Sequence, residues 1–170
     1  MADIRPITSD QVDDAISAIA AAVYSVYGRD EATPERIAAV RAKLLSSGSL
    51  DDMRDLAAHY RGSEGLFLVL LDERRVVGTG ALKQLDADTA ELGRMWFLPE
   101  YRGRGLGRRM AEQLLAFARQ HGYRRVRLDT SSKCINAVEL FRKLGFKEID
   151  RYKESPTTLF MELELNGKVG

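Results

Sequence analysis

The chain has 170 residues, 45% of them hydrophobic, and 26 Lys and Arg against 25 Asp and Glu leave a formal net charge of +1. That length and apolar share fit one soluble domain with a sizeable core, and the lack of a basic excess gives no support for a nucleic-acid binder. A single cysteine excludes an internal disulfide framework and points to a reducing compartment; the polar start MADIRPITSD and the absence of a long apolar run predict neither a signal peptide nor a membrane span, so a cytoplasmic protein is expected.

IRPIT reads as a short first strand. Thr8 or Ser9 then caps a helix running to about Tyr27, with Val12, Ile16, Ile19, Ala20 and Val23 as its apolar stripe and Gly28 as its stop. Thr33 and Pro34 open a second helix over ATPERIAAVRAKLLSSG, and Ser49 is the expected cap of another through Tyr60. Residues 66–71, 76–85 and 89–98 read as three strands, antiparallel because the turns DERR and DAD between them are short. From 105 to 121 the apolar spacing turns helical at Leu106, Met110, Leu114 and Phe117, ending at Gly122. YRRVRLDT is a strand, 136–144 a helix closed by Gly145, and FKEIDRY and TLFMELEL are the last strands. No repeat or linker interrupts this α/β pattern.

The stretch LPEYRGRGLGRRM, residues 98–110, places three glycines and four arginines where a strand stops and a helix starts. The dinucleotide pattern G-x-G-x-x-G fails, because a third glycine after Gly103 and Gly105 should stand at 108, which is Arg; the P-loop pattern fails because no Lys-Ser or Lys-Thr follows. What stands there is R-x-x-G-x-G, from Arg102 through Gly105 to Gly107. Glycines let successive N–H groups turn toward one anion, and the helix start adds its dipole and its unpaired donors. Such a loop suits a pyrophosphate, with Arg104 and Arg108 at its rim. The alternative is an ordinary strand-to-helix turn with a solvated basic face.

R-x-x-G-x-G after a strand resembles the central motif of the GNAT superfamily of N-acetyltransferases. MWFLPEYRGRGLGRRM is similar to the strand, loop and helix of that family, including Pro99 and Tyr101, and AVELFRKLGF, 137–146, is similar to its second hallmark. The likeness covers roughly residues 2 to 166. It implies a single α/β (α+β) domain: a central, mostly antiparallel mixed sheet with one splayed parallel pair, flanked by helices. It implies acetyl-CoA as cosubstrate, with its pyrophosphate on Arg102, Gly103, Arg104, Gly105, Leu106, Gly107 and Arg108. It also implies that the backbone of Met95, Phe97 and Leu98 pairs with the pantetheine arm, one N–H holding the thioester oxygen, where a fixed donor stabilises the developing oxyanion.

Acetyl transfer needs a neutral amine, and with amine pKa values near ~10 a group must accept a proton during attack. Glu91 lies eleven positions before Arg102, an offset that resembles the catalytic glutamate of the family's histone-acetylating branch; the other reading of Glu91 is a solvated charge at a strand end. Two positions depart from the family. Phe141 stands where a tyrosine often protonates the departing thiolate, and Cys134 stands where many members carry an asparagine, with Asn136 two residues on. Tyr152 is a candidate substitute acid. His59 and His121 have no metal-ligand spacing, so no metal is expected. The expected function is direct acetyl transfer to a primary amine of a small molecule or peptide, with no nucleic acid or membrane as partner and a homodimer left open. The alternative is an acyl-CoA-binding module without turnover.

Overall fold

The computed structural model describes residues 2–165 except Arg61 and Ser63, so the domain end expected at Asn166 lies outside the described residues. The strands are β1 (Ala2–Pro6), β2 (Leu66–Asp72), β3 (Arg75–Gln84), β4 (Thr89–Phe97), β5 (Arg125–Thr130), β6 (Lys147–Ile149) and β7 (Leu159–Glu164). The helices are α1 (Val12–Tyr27), α2 (Pro34–Ser46), the single turns α3 (Asp51–Arg54) and α4 (Leu56–His59), α5 (Leu106–Gln120) and α6 (Ile135–Lys143). The strands form one sheet in the order β1-β2-β3-β4-β5-β7-β6, antiparallel at every step except β4 to β5. That parallel pair needs a long crossover, which α5 supplies.

Side chains alternate across the sheet as the two-residue period of a strand requires. Leu68, Leu70, Val77, Leu82 and Leu92 pack with Met110 and Leu114 of α5, whereas Phe67, Val69, Leu71, Val76 and Ala81 pack with Ile16 and Ile19 of α1. The pairing slips at two places, between β2 and β3 at Leu70 and Leu71, where Val77 is the extra residue, and between β3 and β4. Thr79 opposes Trp96 but Ala81 opposes Gly93, so Gly80 faces two residues, Arg94 and Met95. This bulge holds Arg94 at a left-handed φ of 56°. It also shifts the parity of β4: Leu92 faces α5 and Glu91 therefore the α1 side, yet beyond the bulge Met95 and Phe97 pack on the α5 side and Trp96 on the α1 side. A Cβ on Gly80 would come within 2.7 Å of Met110 Cγ and 2.8 Å of Met95 Sδ, so glycine is what lets those methionines close over the bulge.

The helix expected from Ser49 to Tyr60 is two separate turns. Ser49 makes no cap; the side chain of Asp55 accepts from Ala58 N–H (3.1 Å) and starts the second turn. Between them Asp52 is drawn to Arg94, whose Nη2 donates to Asp52 Oδ1 and to Ser49 C=O (2.5 Å each) and whose Nε donates to Asp52 Oδ2 (3.2 Å). Tyr60 Oη donates to the same Oδ2 (2.5 Å). Side-chain bonds to the bulge thus replace helical continuity. The strand expected over 146–152 is short as well, because Arg151 leaves the ladder and donates to the carbonyls of Ser155 and Thr157 (2.9 and 3.1 Å).

Burial works to raise the Asp52 pKa, but Arg94 and Tyr60 outweigh it and hold the carboxyl below its usual value. A depressed carboxyl stabilises the fold above its unfolded pKa of about 3.9 and loses that contribution as pH falls through the folded value. Asp52→Asn should therefore cost about 2–4 kcal/mol at neutral pH, somewhat less than a fully enclosed pair because Arg94 keeps 24% side-chain exposure. The gap to wild type should narrow below about pH 4. Urea midpoints across that pH range check both statements.

Candidate active site

β4 and β5 pair only at Thr89, Ala90 and Glu91, opposite Arg125, Val126 and Arg127. Beyond Glu91 the two strands diverge, β4 staying with β3 and β5 with β7. The opening is a cleft with Leu92 to Trp96 on one wall and Leu128 to Ser131 on the other, closed by Tyr27, Cys134, Ala137 and Phe141. Leu98 N–H donates to Val77 C=O (3.0 Å). Bonded and unbonded pairs alternate in an antiparallel ladder, so Phe97 turns its N–H and C=O away from β3, toward the side that β5 has left. Its C=O accepts from Arg102 Nε (3.0 Å).

The glycine loop follows at the end of this bared edge. Gly103 and Gly105 have φ of 72° and 75°, and a Cβ at either would meet nothing within 4 Å. The first backbone bond of α5 runs from Arg109 N–H to Gly105 C=O (3.1 Å), which leaves the N–H groups of Leu106, Gly107 and Arg108 without an acceptor behind them in the helix. Arg102 braces the loop against α1, its Nη2 donating to Ser25 Oγ (2.8 Å). Arg104 lies over the Tyr101 ring at 5.4 Å, and Arg108 Nε donates to Glu112 (2.9 Å).

Glu91 is no solvated strand-end charge. It is the third residue of β4, buried, at the point where the sheet parts. Its Oε2 accepts from Tyr152 Oη (2.8 Å) and pairs with Lys153 Nζ (2.9 Å), and Lys83 Nζ stands 3.8 Å from Oε1. Lys153 also reaches Asp129 Oδ1 (3.0 Å), and Asp129 Oδ2 accepts from Ser155 and Thr157 (2.7 and 2.6 Å). One ammonium thus joins the two strands across the base of the split. Burial works to lower the Lys153 pKa, but Glu91 and Asp129 raise it, so the lysine stays charged. Burial would raise the Asp129 carboxyl, yet Thr157, Ser155 and Lys153 hold it below its usual value. Burial, reinforced by the bond to Glu91, pushes the Tyr152 phenol well up, which makes it a weaker proton donor than a free phenol.

Of the residues singled out from sequence, Met95 and Phe141 meet at the cleft, and the glycine loop with Phe97 continues its edge. Leu98 is buried, its N–H already spent on β3. Phe141 is buried against Phe146, with ring centroids 5.6 Å apart. Glu91 and Tyr152 lie together on the α1 side of the sheet rather than on the cleft lining. Asn136 is exposed outside the cleft, and Cys134 lines it. Tyr27, Arg94, Asp129 and Lys153 are also at or beside the cleft and carry no motif in the sequence. Each arrives by a long-range contact, and only the strand pattern of RVRLDT, with Asp129 on the face of Arg127, carried a signal for any of them. Among the described residues no group of His, Cys, Asp and Glu is arranged to hold a metal, and no helix is long and apolar enough to cross a membrane.

Known proteins resemble the chain in sequence and in fold. It is 38% identical over 81 residues to an uncharacterized N-acetyltransferase of Escherichia coli, YjgM, covering 46% of this chain and 48% of that protein. It is 35% identical over 103 residues to human N-acetyltransferase 8B, covering 57% and 45%. The chain spans about half the length of these curated relatives. In fold it matches a GNAT-family acetyltransferase of Staphylococcus aureus with a TM-score of 0.78 at 18% identity, over 98% of this chain and 100% of that one. An N-acetyltransferase of Thermoplasma acidophilum in complex with coenzyme A matches with a TM-score of 0.75 at 21% identity, over 97% and 99%. The sequence model of the acetyltransferase (GNAT) family matches residues 29–146, well over half of the chain, and this chain belongs to that family.

Proposed function

We propose that the chain transfers an acetyl group from acetyl-CoA directly to a primary amine of a small molecule or peptide. The observation that carries this reading is the alignment of two features along one strand: an edge of β4 stripped of its β5 partner, and a glycine-headed helix start with unpaired N–H groups immediately beyond it. A pyrophosphate fits the second feature, since space stands open where Cβ atoms of Gly103 and Gly105 would lie and Leu106, Gly107 and Arg108 offer donors there. A thin polar arm fits the first, taking up the freed backbone of Phe97 beside Met95. Acetyl-CoA supplies the activated acyl group. The GNAT membership and the coenzyme A complex of the Thermoplasma relative support the same cosubstrate.

In this reading Glu91 takes up the proton that the amine sheds, directly or through one water. Tyr152 and Lys153 hold its carboxylate in place, so Tyr152 orients the base rather than serving the departing thiolate. Phe141 offers the thiolate no proton. That vacancy is what favours the second reading, a module that binds acyl-CoA without turning it over. Coenzyme A release over a panel of amines and peptides separates the two, since the module predicts binding and no release.

Acetyl-CoA at about 100 times its dissociation constant should stabilise the fold by roughly 2.7 kcal/mol, a melting shift on the order of 5–10 °C for a domain of this size. Gly105→Val is a poor test because valine is strained at a φ of 75°. Gly107→Val is the better one: its Cβ meets Leu140 at 3.6 Å and Phe97 at 3.8 Å, ordinary contacts that let the helix form while the branch fills the gap between α5, α6 and β4. That variant should fold and lose most of the acetyl-CoA shift; an unchanged shift removes the loop from the binding site.

Glu91→Gln should keep the acetyl-CoA shift and lower turnover by roughly 10²–10⁴ at neutral pH. The deficit should shrink as pH rises toward the amine pKa of about 10, where more of the acceptor is already neutral. Initial rates of coenzyme A release from pH 7 to 10 check this, and wild-type activity in the variant assigns Glu91 a structural role only.

A further inference from the structure

Beyond an amine, the charges around the cleft indicate what else the acceptor carries; this rests on the acetyltransfer reading above. The carboxylates near the cleft are matched within the protein. Glu91 has Tyr152 and Lys153, Asp129 has Lys153 and two hydroxyls, and Asp52 has Arg94 and Tyr60. None is left bare for a substrate ammonium. Arg94 is different. It lines the cleft, and Asp52 and Ser49 engage only its Nε and Nη2; among the described residues Nη1 has no hydrogen-bond partner. A guanidinium is a rigid planar fork, so gripping its Nε edge fixes the direction of the Nη1 edge. The backbone is held against preference to place it there: Arg94 is one of two non-glycine residues with positive φ among the described residues, and it sits in the bulge immediately before Met95.

We propose that Arg94 is the acceptor-specificity residue and that the acceptor bears a carboxylate next to its amine, as an amino acid does. The Nη1 edge receives the carboxylate, with Asp52 and Ser49 holding the guanidinium so that little rotamer freedom is lost on binding. The amine, one carbon away from the carboxylate, then lies by the wall formed by Met95 and Trp96, where the acetyl group is proposed to be presented. A decarboxylated amine loses the anchor and leaves a cleft-lining donor unpaired.

The test is coenzyme A release by wild type with a panel of amino acids, each beside its amide and its decarboxylated amine. The amide carries the less basic amine, so intrinsic reactivity favours it and a preference for the free acid must come from recognition. The expected result is a kcat/KM at least about tenfold higher for one or more free amino acids than for their amide and amine. In Arg94→Gln the preference should fall to within about threefold, through KM, with the acetyl-CoA melting shift retained. If that variant does not fold, the wild-type comparison decides alone. The inference is overturned if wild type turns over amides or plain amines as well as free acids, if it binds acetyl-CoA but acetylates no carboxylate-bearing acceptor, or if folded Arg94→Gln keeps the preference. Turnover without carboxylate preference sinks this inference and leaves the acetyltransfer reading standing, whereas no acetyl-CoA shift and no release with any acceptor sinks both.

Discussion

The site depends on a sheet that stops pairing. Three residues of β4 meet three of β5, and then the two strands part. A parted pair bares backbone donors and acceptors that a continuous sheet would satisfy internally, and such groups are costly to leave without a partner in an interior. The split must therefore be held open against closure by interactions on both sides. On one side the bulge at Arg94 and the closely packed Met95, Met110 and Gly80 set the course of β4. On the other, the antiparallel ladder with β7 holds β5 along its full length. At the vertex Lys153 reaches Glu91 on one strand and Asp129 on the other.

That vertex explains why a carboxylate can be buried in the middle of the sheet. An ionised carboxylate away from water is tolerated only when paired and hydrogen-bonded, and Glu91 has a phenol, an ammonium within contact and a second ammonium nearby. The 150–158 segment brings two of these three. A segment that left the ladder and lies across the α1 side of β4, β5 and β7 thus completes the electrostatics of a residue 61 positions earlier in the chain. The same arrangement ties Glu91 to the cleft, because Lys153 also engages Asp129, and Asp129 lines the cleft.

What could be read from the sequence follows the range of the interactions. Strands β2 to β5 and helix α5 were legible to within a few residues, since two- and 3.6-residue periods and glycine stops are local signals. The glycine loop was legible for the same reason: its geometry is written in consecutive positions 102–107. The split helix at 51–59 was not, because Asp52 answers to Arg94 across 42 positions. Glu91 stands out as a candidate, with a catalytic and a solvated reading both open, because nothing near it in sequence announces Tyr152 or Lys153. Arg94 escaped altogether. A bulge is a mismatch between two strands, and neither strand alone carries it.

The distribution of charge also bears on which half of the proposed reaction this chain assists. A thiol with a pKa of about 8.5 leaves readily at neutral pH, whereas an amine with a pKa near 10 must lose a proton to react. Help is needed most at the acceptor, and on the proposed acceptor side the chain gathers Glu91, Asp129, Lys153, Lys83 and Arg94. At the proposed cofactor side of the cleft it places Phe141, buried against Phe146, and the phenol that lines the cleft, Tyr27, has its pKa raised by burial. Tyr152, the phenol at the vertex, gives its hydrogen bond to Glu91. A phenylalanine in place of a family tyrosine is then consistent with an enzyme whose selectivity and rate are both set where the amine binds, with the thiolate left to solvent for its proton.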